Sequence, residues 1–216
     1  SFTDFPLAVV DYGSFVLRQP TSDAALRLRG TQGGGSHASF TADGQALICV
    51  RGGNLYRVDL ASGQWRQLTR SADCGAPAAH PSRPLVVYCR NKPVGRGRIG
   101  QLYSMRLWVL DLTTGKSTPT AGLGHGGSER VEEQWTPKLD RICWHPDGRT
   151  VAVTWHSRYD MYTSLVVDAL RPGAVAQRAA EDDPAGYGWG LTYSPAGGLA
   201  AREVFQGLPR VAFSVG

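Results

Sequence analysis

The 216-residue sequence predicts an all-β fold built from a repeated unit of four short strands. In one copy, residues 38–70, short apolar or alternating segments are separated by tight turns at Asp43-Gly44 and Ser62-Gly63. Three further copies begin at residues 79–84 (AHPSRP), 144–149 (WHPDGR) and 193–198 (YSPAGG). Such a unit is typical of a β-propeller blade, because blades stacked in a ring bury both faces of every sheet.

A common sequence pattern follows the turns of these units. Its members are residues 55–60 (LYRVDL), 67–69 (QLT), 80–81 (HP), 107–112 (LWVLDL), 145–148 (HPDG), 165–168 (LVVD) and 194–195 (SP). The pattern resembles the TolB-like, or PD40 (WD40-like), β-propeller repeat family from about residue 36 to the C-terminus. The first unit departs at its turn, residues 41–44 (TADG), and the fourth lacks the aspartate. The resemblance implies fold more strongly than function, because these repeats occur in periplasmic interaction proteins, in prolyl oligopeptidase-like peptidases and in some polysaccharide lyases.

The repeats divide residues 1–216 into blade units of a single propeller domain. Residues 1–35 and 186–216 resemble incomplete blades. Either these ends combine to close a small ring, or the chain is part of a larger propeller that further chain or another subunit completes. The strand count favours the second, because the two ends offer about six strands where one blade needs about four. The predicted units are about 1–35, 36–72, 73–122, 137–180 and 186–216.

The composition excludes several classes of partner. Lys and Arg number 23 against 18 Asp and Glu, which is typical of a solubilising surface. The sequence contains no long basic run or nucleic-acid-binding motif, so no nucleic-acid partner is expected. No stretch is apolar for long enough to span a bilayer. The opening residues, SFTDFPLAVV, suit a mature secreted chain or a trimmed one, and the resemblance implies a periplasmic or secreted location.

The cysteines Cys49, Cys74, Cys89 and Cys143 form no CxxC motif, so a zinc or redox motif is not indicated. Antiparallel pairing of the first two strands of the third unit would bring Cys74 within disulfide reach of Cys89. A disulfide there would imply an oxidising compartment. The alternative is that all four cysteines are small buried hydrophobes.

Long irregular segments are predicted to gather on one face. We call the face where each unit's first strand begins the top; the short turns then lie on the bottom. Long loops on one rim of a rigid scaffold are the usual place for binding. The long segments are residues 30–37, 90–101, 121–135, 156–161 and 179–188.

These top segments supply the candidate site residues. We expect ligand contacts from Arg96, Arg98, His125, Glu132, Glu133, His156, Arg158, Tyr159 and Asp160. His37, His125 and His156 are weak candidates for a divalent-metal site, because neutral imidazole suits such ions but their spacing matches no ligand motif. No cofactor is otherwise expected. His80 and His145 stand in proline turns and are interpreted as structural.

The sequence therefore predicts a non-catalytic binding scaffold outside the cytoplasm, whose top loops take a protein or an extended polar ligand. No G-x-S-x-G nucleophile motif is present. The alternative is an enzyme: a metal-dependent propeller lyase or hydrolase, or the propeller part of a prolyl oligopeptidase-like peptidase.

Overall fold

The strands and their connections are taken from a computed structural model. It describes residues 7–11, 14–18, 25–27, 38–98, 101–123, 130–132, 138–156, 162–178, 191–193, 200–206 and 208–213. Within these ranges the protein consists of strands and turns, without helices. The strands are β1 (Leu7–Asp11), β2 (Ser14–Arg18), β3 (Ala25–Arg27), β4 (Ala38–Phe40), β5 (Ala46–Arg51), β6 (Asn54–Asp59), β7 (Trp65–Gln67), β8 (Cys74–Ala79), β9 (Leu85–Arg96), β10 (Gln101–Asp111), β11 (Ser117–Gly122), β12 (Arg130–Glu132), β13 (Lys138–Trp144), β14 (Thr150–His156), β15 (Tyr162–Asp168), β16 (Gln177–Arg178), β17 (Leu191–Tyr193), β18 (Ala200–Gln206) and β19 (Leu208–Phe213).

These strands form five antiparallel sheets, numbered here in chain order. Sheet 1 contains β1–β3, sheet 2 contains β4–β7, sheet 3 contains β8–β12, sheet 4 contains β13–β16 and sheet 5 contains β17–β19. Sheets 2 and 4 are four-stranded meanders, and sheet 3 is the same meander with β12 added beside β10. The predicted all-β fold of four-stranded antiparallel units is therefore confirmed. No closed ring is seen in the part of the chain that the structure describes.

The first turn of sheets 2, 3 and 4 is built in the same way. In each, the backbone N–H of the residue that opens the turn donates to a carbonyl at the start of the next strand. This common bond makes the three opening residues structurally equivalent, although one is a threonine and two are histidines. The pairs are Thr41–Ala46 (2.9 Å), His80–Leu85 (2.8 Å) and His145–Thr150 (2.8 Å).

The aspartate that ends the third strand of each unit shapes the turn that follows. The carbonyl of Asp59 accepts a bond from the N–H of Gly63 (2.9 Å), and its carboxylate accepts one from the N–H of Ser62 (2.7 Å). The carboxylate of Asp111 likewise accepts a bond from the N–H of Thr113 (2.8 Å). These turn hydrogen bonds, led by the Ser62 hydroxyl for Asp59 and by Thr113 for Asp111, lower the pKa of both carboxyl groups.

Successive sheets pack through their first strands. Strand β8 contacts β4, β5 and β6 of sheet 2, β13 contacts β8 and β9 of sheet 3, and β17 contacts β13 and β14 of sheet 4. One core lies between sheets 2 and 3 and includes Ile48, Leu55, Val86, Tyr88 and Leu110. A larger core joins sheets 3 and 4 and includes Val87, Cys89, Leu107, Trp144 and Val153. Alternate residues of β9 thus serve different cores, which explains why that strand is continuously apolar at its start.

The segment predicted as a long top loop after Arg90 is a strand instead. Strand β9 continues to Arg96 and β10 starts at Gln101, so the two form one long hairpin. The pairing continues because a polar, exposed sequence still satisfies its backbone groups across the ladder, with a register shift between Leu102 and Tyr103. Among the described residues no helix is long and apolar enough to cross a membrane.

Candidate functional site

The structure describes only some of the predicted site residues. Arg96 and Arg98 are described with their side chains, and both are exposed. Glu132 ends β12 and His156 ends β14, and only their backbone is described. The remaining candidates, His37, His125, Glu133, Arg158, Tyr159 and Asp160, lie outside the described residues.

The hairpin of β9 and β10 extends beyond β8 and β11 on the top face. Strand β8 pairs with β9 only as far as Cys74 opposite Arg90. Beyond that point β9 still pairs with β10, ending with Arg96 opposite Gln101. The last part of the hairpin, residues 92–98, is called here the hairpin tip. It carries three cationic side chains on a rigid two-stranded support.

Strand β12 brings the predicted acidic segment beside this hairpin. Its Glu132 pairs with Leu102 of β10, which on its other side pairs with Gly95 of β9. Neighbouring strands lie about 4.8 Å apart, so the backbones of Gly95 and Glu132 are about 10 Å apart. The topology therefore places the basic and acidic segments on either side of one strand at the top of the sheet.

The base of the hairpin is anchored by a charged pair. Arg90 donates three bonds to Asp73, from Nε to Oδ1 (2.9 Å) and Oδ2 (3.1 Å) and from Nη2 to Oδ2 (2.8 Å). Its guanidinium lies 5.0 Å from the ring centre of Trp108. Burial opposes ionisation of Asp73, but the bonds from Arg90 and Ser71 outweigh it and lower the pKa of the carboxyl group. Arg90 is thus a structural residue and does not belong to the exposed cations of the tip.

The tip is exposed at every residue except Gly97, which is half-buried. Lys92, Arg96 and Arg98 are exposed, and the side chain of Val94 between them is 49% exposed. An exposed valine beside flexible cations supplies both apolar area and charge to a contacting surface. This arrangement suits recognition of a chain segment that carries carboxylates and an apolar side chain.

The disulfide predicted between Cys74 and Cys89 is not formed, and both cysteines are unbridged. In the register of β8 and β9, Cys74 is opposite Arg90, whereas Cys89 is opposite Gly75. The two side chains therefore point to opposite faces of sheet 3, one toward each core. The alternative interpretation, that these cysteines are small buried hydrophobes, agrees with their burial.

The thiols of Cys49 and Cys89 are poor nucleophiles. Burial raises the pKa of Cys49 and of Cys89 to about 12, so both stay protonated at neutral pH. Within the described residues no group of three or more His, Cys, Asp or Glu side chains could hold a metal ion. The metal candidates His37 and His125 lie outside those residues, so the metal prediction is not tested.

His80 is structural, as its place in the turn predicted. Its buried Nδ1 accepts bonds from the N–H groups of Ser82 and Arg83 (both 3.0 Å), so Nε2 carries the proton and donates to the carbonyl of Gly148 in sheet 4 (2.7 Å). The ring also lies 4.7 Å from the ring of Trp144. Burial lowers the pKa of His80, with the Gly148 bond opposing that shift, and this favours the neutral imidazole that the geometry requires.

A cleft of about 380 Å³ opens at the bottom face between sheets 2 and 3. Sequence reasoning assigned this face only short turns and missed it. One sequence feature could have indicated the cleft: the turn at residues 41–44 departs from the repeat pattern. The lining includes Thr41, Asp43 and Arg57 from sheet 2 and Pro81, Arg83, Pro84, Leu85 and Leu112 from sheet 3.

Solved structures similar to this chain support a propeller-type fold. The chain is similar to TolB from Acinetobacter baumannii, with a TM-score of 0.50 and 12% identity over 94% of this chain and 57% of that one. It is also similar to dipeptidyl peptidase 4 from Porphyromonas gingivalis, with a TM-score of 0.52 and 10% identity over 97% of this chain and 35% of that one. The chain thus spans little more than half of TolB and about a third of the peptidase, and at these identities the likeness concerns the fold alone. No protein-family model and no curated protein matches the sequence.

Proposed function

We propose that this chain is a non-catalytic, propeller-type binding scaffold whose hairpin tip contacts an acidic segment of a protein partner. The observation that carries the proposal is the projecting hairpin, which exposes Val94 between Lys92 and Arg96. The likeness to TolB supports a binding scaffold at the level of the fold. The proposal places the protein outside the cytoplasm, in keeping with its TolB-like repeats.

The physical advantage of this surface is its rigid support. Backbone pairing from Leu85 to Arg96 and the anchor between Arg90 and Asp73 fix the direction of the hairpin before a partner arrives. A preformed support reduces the ordering cost of binding. Arginine guanidinium groups donate paired hydrogen bonds to carboxylates, so Arg96 and Arg98 favour an acidic partner over a basic one.

The test is a comparison of proteins retained from a native extract of the source organism. We expect a specific set of proteins to bind the wild-type chain. We expect the amount of each that is retained to fall about tenfold when R96E and R98E are combined, because one or more charge-assisted contacts are lost. The matched control is R70E, which reverses the charge of an exposed arginine outside the tip. Unfolding midpoints of the three proteins are measured in parallel and are expected to agree. Equal retention by all three would overturn the proposal.

A second candidate is the propeller part of a peptidase, which the likeness to dipeptidyl peptidase 4 favours. In that case this chain would control access of substrate and would not itself cleave peptides. The discriminating measurement is peptidase activity of the complete gene product, with this chain alone as the comparison. If the complete product has peptidase activity and loses it when residues 1–216 are removed, the result would favour this candidate over the scaffold.

A further inference from the structure

The equivalent turns of sheets 2, 3 and 4 have different side chains at two positions. The opening position holds Thr41, His80 or His145, and the position three residues later holds Gly44, Arg83 or Gly148. In sheets 2 and 4 the glycine N–H donates to the carbonyl of the opening residue (2.8 and 2.9 Å). Sheet 2 therefore lacks the histidine, and sheet 3 lacks the glycine.

Between sheets 3 and 4 the histidine and the glycine meet. The His80 imidazole lies against Gly148, where a Cβ would be only 2.6 Å from two ring atoms. This ring is buried and fills the space between the two turns. The lower end of this boundary is therefore closed by a protein side chain.

Between sheets 2 and 3 both partners of that contact are replaced. The Thr41 hydroxyl turns back into its own turn, where it donates to the carboxylate of Asp43 and accepts from the N–H of Ala46 (3.1 Å). Arg83 stands where a glycine would be, and its side chain is exposed. The Ser39 hydroxyl of β4 crosses this boundary and accepts a bond from the N–H of Ala79 (2.9 Å). No described side chain occupies the place that the imidazole fills between the turns one boundary later, and that space is the cleft of about 380 Å³.

The cleft has a net positive character. Arg57 is half-buried on the face of β6 that it shares with Leu55, which packs in the core between sheets 2 and 3. Arg83 approaches from the opposite side. Neither guanidinium forms a side-chain hydrogen bond or ion pair with the described residues. Asp43 adds one negative charge, which the bonds from Thr41 and from the N–H of Gln45 (3.0 Å) stabilise by lowering its pKa, so the three groups together carry one net positive charge.

We propose that this cleft binds a monocarboxylate attached to a small apolar group, from a small acid or from the C-terminus of a peptide. Two arginines supply paired donors that match the two oxygens of a carboxylate. Pro81, Leu85 and Leu112 supply apolar walls for the attached group. Two arginines and Asp43 leave one net positive charge in the cleft, which favours a monoanion over a phosphate dianion.

The test follows backbone amides by ¹H–¹⁵N NMR while probes are added to the folded chain. The probes are N-acetyl-L-leucine, a hexapeptide ending in leucine, N-acetyl-L-leucine amide and inorganic phosphate. We expect the two carboxylates to shift the amides of Ala42, Ser82 and Arg83 with saturation, and the tighter of the two identifies the source. No shift at these amides, or equal binding of the amide or of phosphate, would overturn the proposal.

Variants then assign the binding to the cleft. R83Q, at an exposed position, is expected to weaken binding about tenfold, because one charge-assisted pair of bonds is lost. R70Q removes an exposed arginine outside the cleft and is expected to bind as wild type does. The double variant T41H and R83G restores the histidine and the glycine at this boundary, so it is expected to close the cleft and abolish the shifts. Undiminished binding by both R83Q and the double variant would overturn the proposal. Arg96 and Arg98 lie outside the cleft. The R96E and R98E experiment therefore tests the hairpin tip independently of the cleft.

Discussion

The boundary between sheets 3 and 4 is closed at its lower end, whereas the boundary between sheets 2 and 3 is open there. At the closed boundary the His80 imidazole joins two turns, and the indole N–H of Trp144 donates to the carbonyl of Ala78 (2.9 Å). At the open boundary, Thr41 bonds within its own turn and leaves a cleft beside Arg83. The turn backbones share the same opening bond, so the side chains decide whether the boundary is filled or empty.

The open boundary is held above the cleft by the bond between Ser39 and Ala79 and, at its upper end, by two further bonds. There the N–H of Cys74 donates to the carbonyl of Gly53 (2.8 Å), and the N–H of Ala72 donates to the Asn54 amide oxygen (3.0 Å). The chain between sheets 2 and 3 is thereby bonded to the hairpin turn of β5 and β6. These bonds hold the two sheets together while the space between their first turns stays open as the cleft.

The largest expected effect is that of G53A, which breaks this upper attachment. A Cβ at Gly53 would lie 2.3 Å from the carbonyl oxygen of Ala72, and the residue has a φ of +70°. Because backbone must move, we expect a loss of roughly 3–4 kcal/mol in the free energy of unfolding, measured by urea denaturation. The neighbouring G52A has a similar φ and open space, so it should lose only about 1 kcal/mol. Equal losses for both variants would show that the close approach is unimportant.

A smaller effect is expected for G148A at the closed boundary. Its Cβ would meet the His80 ring at 2.6 Å, and a side chain moves more readily than backbone. We expect a loss of about 2–3 kcal/mol by the same measurement. G115A, with a φ of +72° and no atom within 4 Å, is the control and should lose about 1 kcal/mol. If G148A behaves as G115A does, His80 does not close this boundary in solution.

The smallest of the three effects is a pH dependence at the closed boundary. Burial lowers the pKa of His80 from its ordinary value of 6.5, so the unfolded chain binds a proton more readily than the folded one. The stability contributed by His80 is complete above pH 6.5 and is lost as pH falls from there through the folded pKa. We expect the unfolding midpoint of H80Q to fall less steeply than that of wild type between about pH 7 and 5. Parallel slopes would mean that His80 accepts its proton without leaving the boundary.

Sequence reasoning was most successful where chemistry is local. The Asp-Gly and Ser-Gly turns and the aspartates of the repeat act through bonds within a few residues, as the contacts of Asp59 and Asp111 show. For the polar segment after Arg90 it left open a flexible basic loop and a solvated hairpin tip, and the structure shows the hairpin. Strand pairing there depends on β10, which lies later in the chain, and polar residues are compatible with an exposed ladder. The disulfide prediction was wrong because proximity along paired strands does not place two side chains on the same face.

The sequence by itself determined the all-β class, the repeated unit and the structural role of His80, because strand period, turn chemistry and repetition are properties of short segments. Only the tertiary structure decided which core each cysteine enters, where the basic hairpin projects and which boundary stays open. These features depend on pairs of residues far apart in the chain, such as His80 with Gly148 and Arg57 with Arg83. The effect of a substitution in one turn, such as one at Thr41, can be predicted only when the residue in the opposing turn is known.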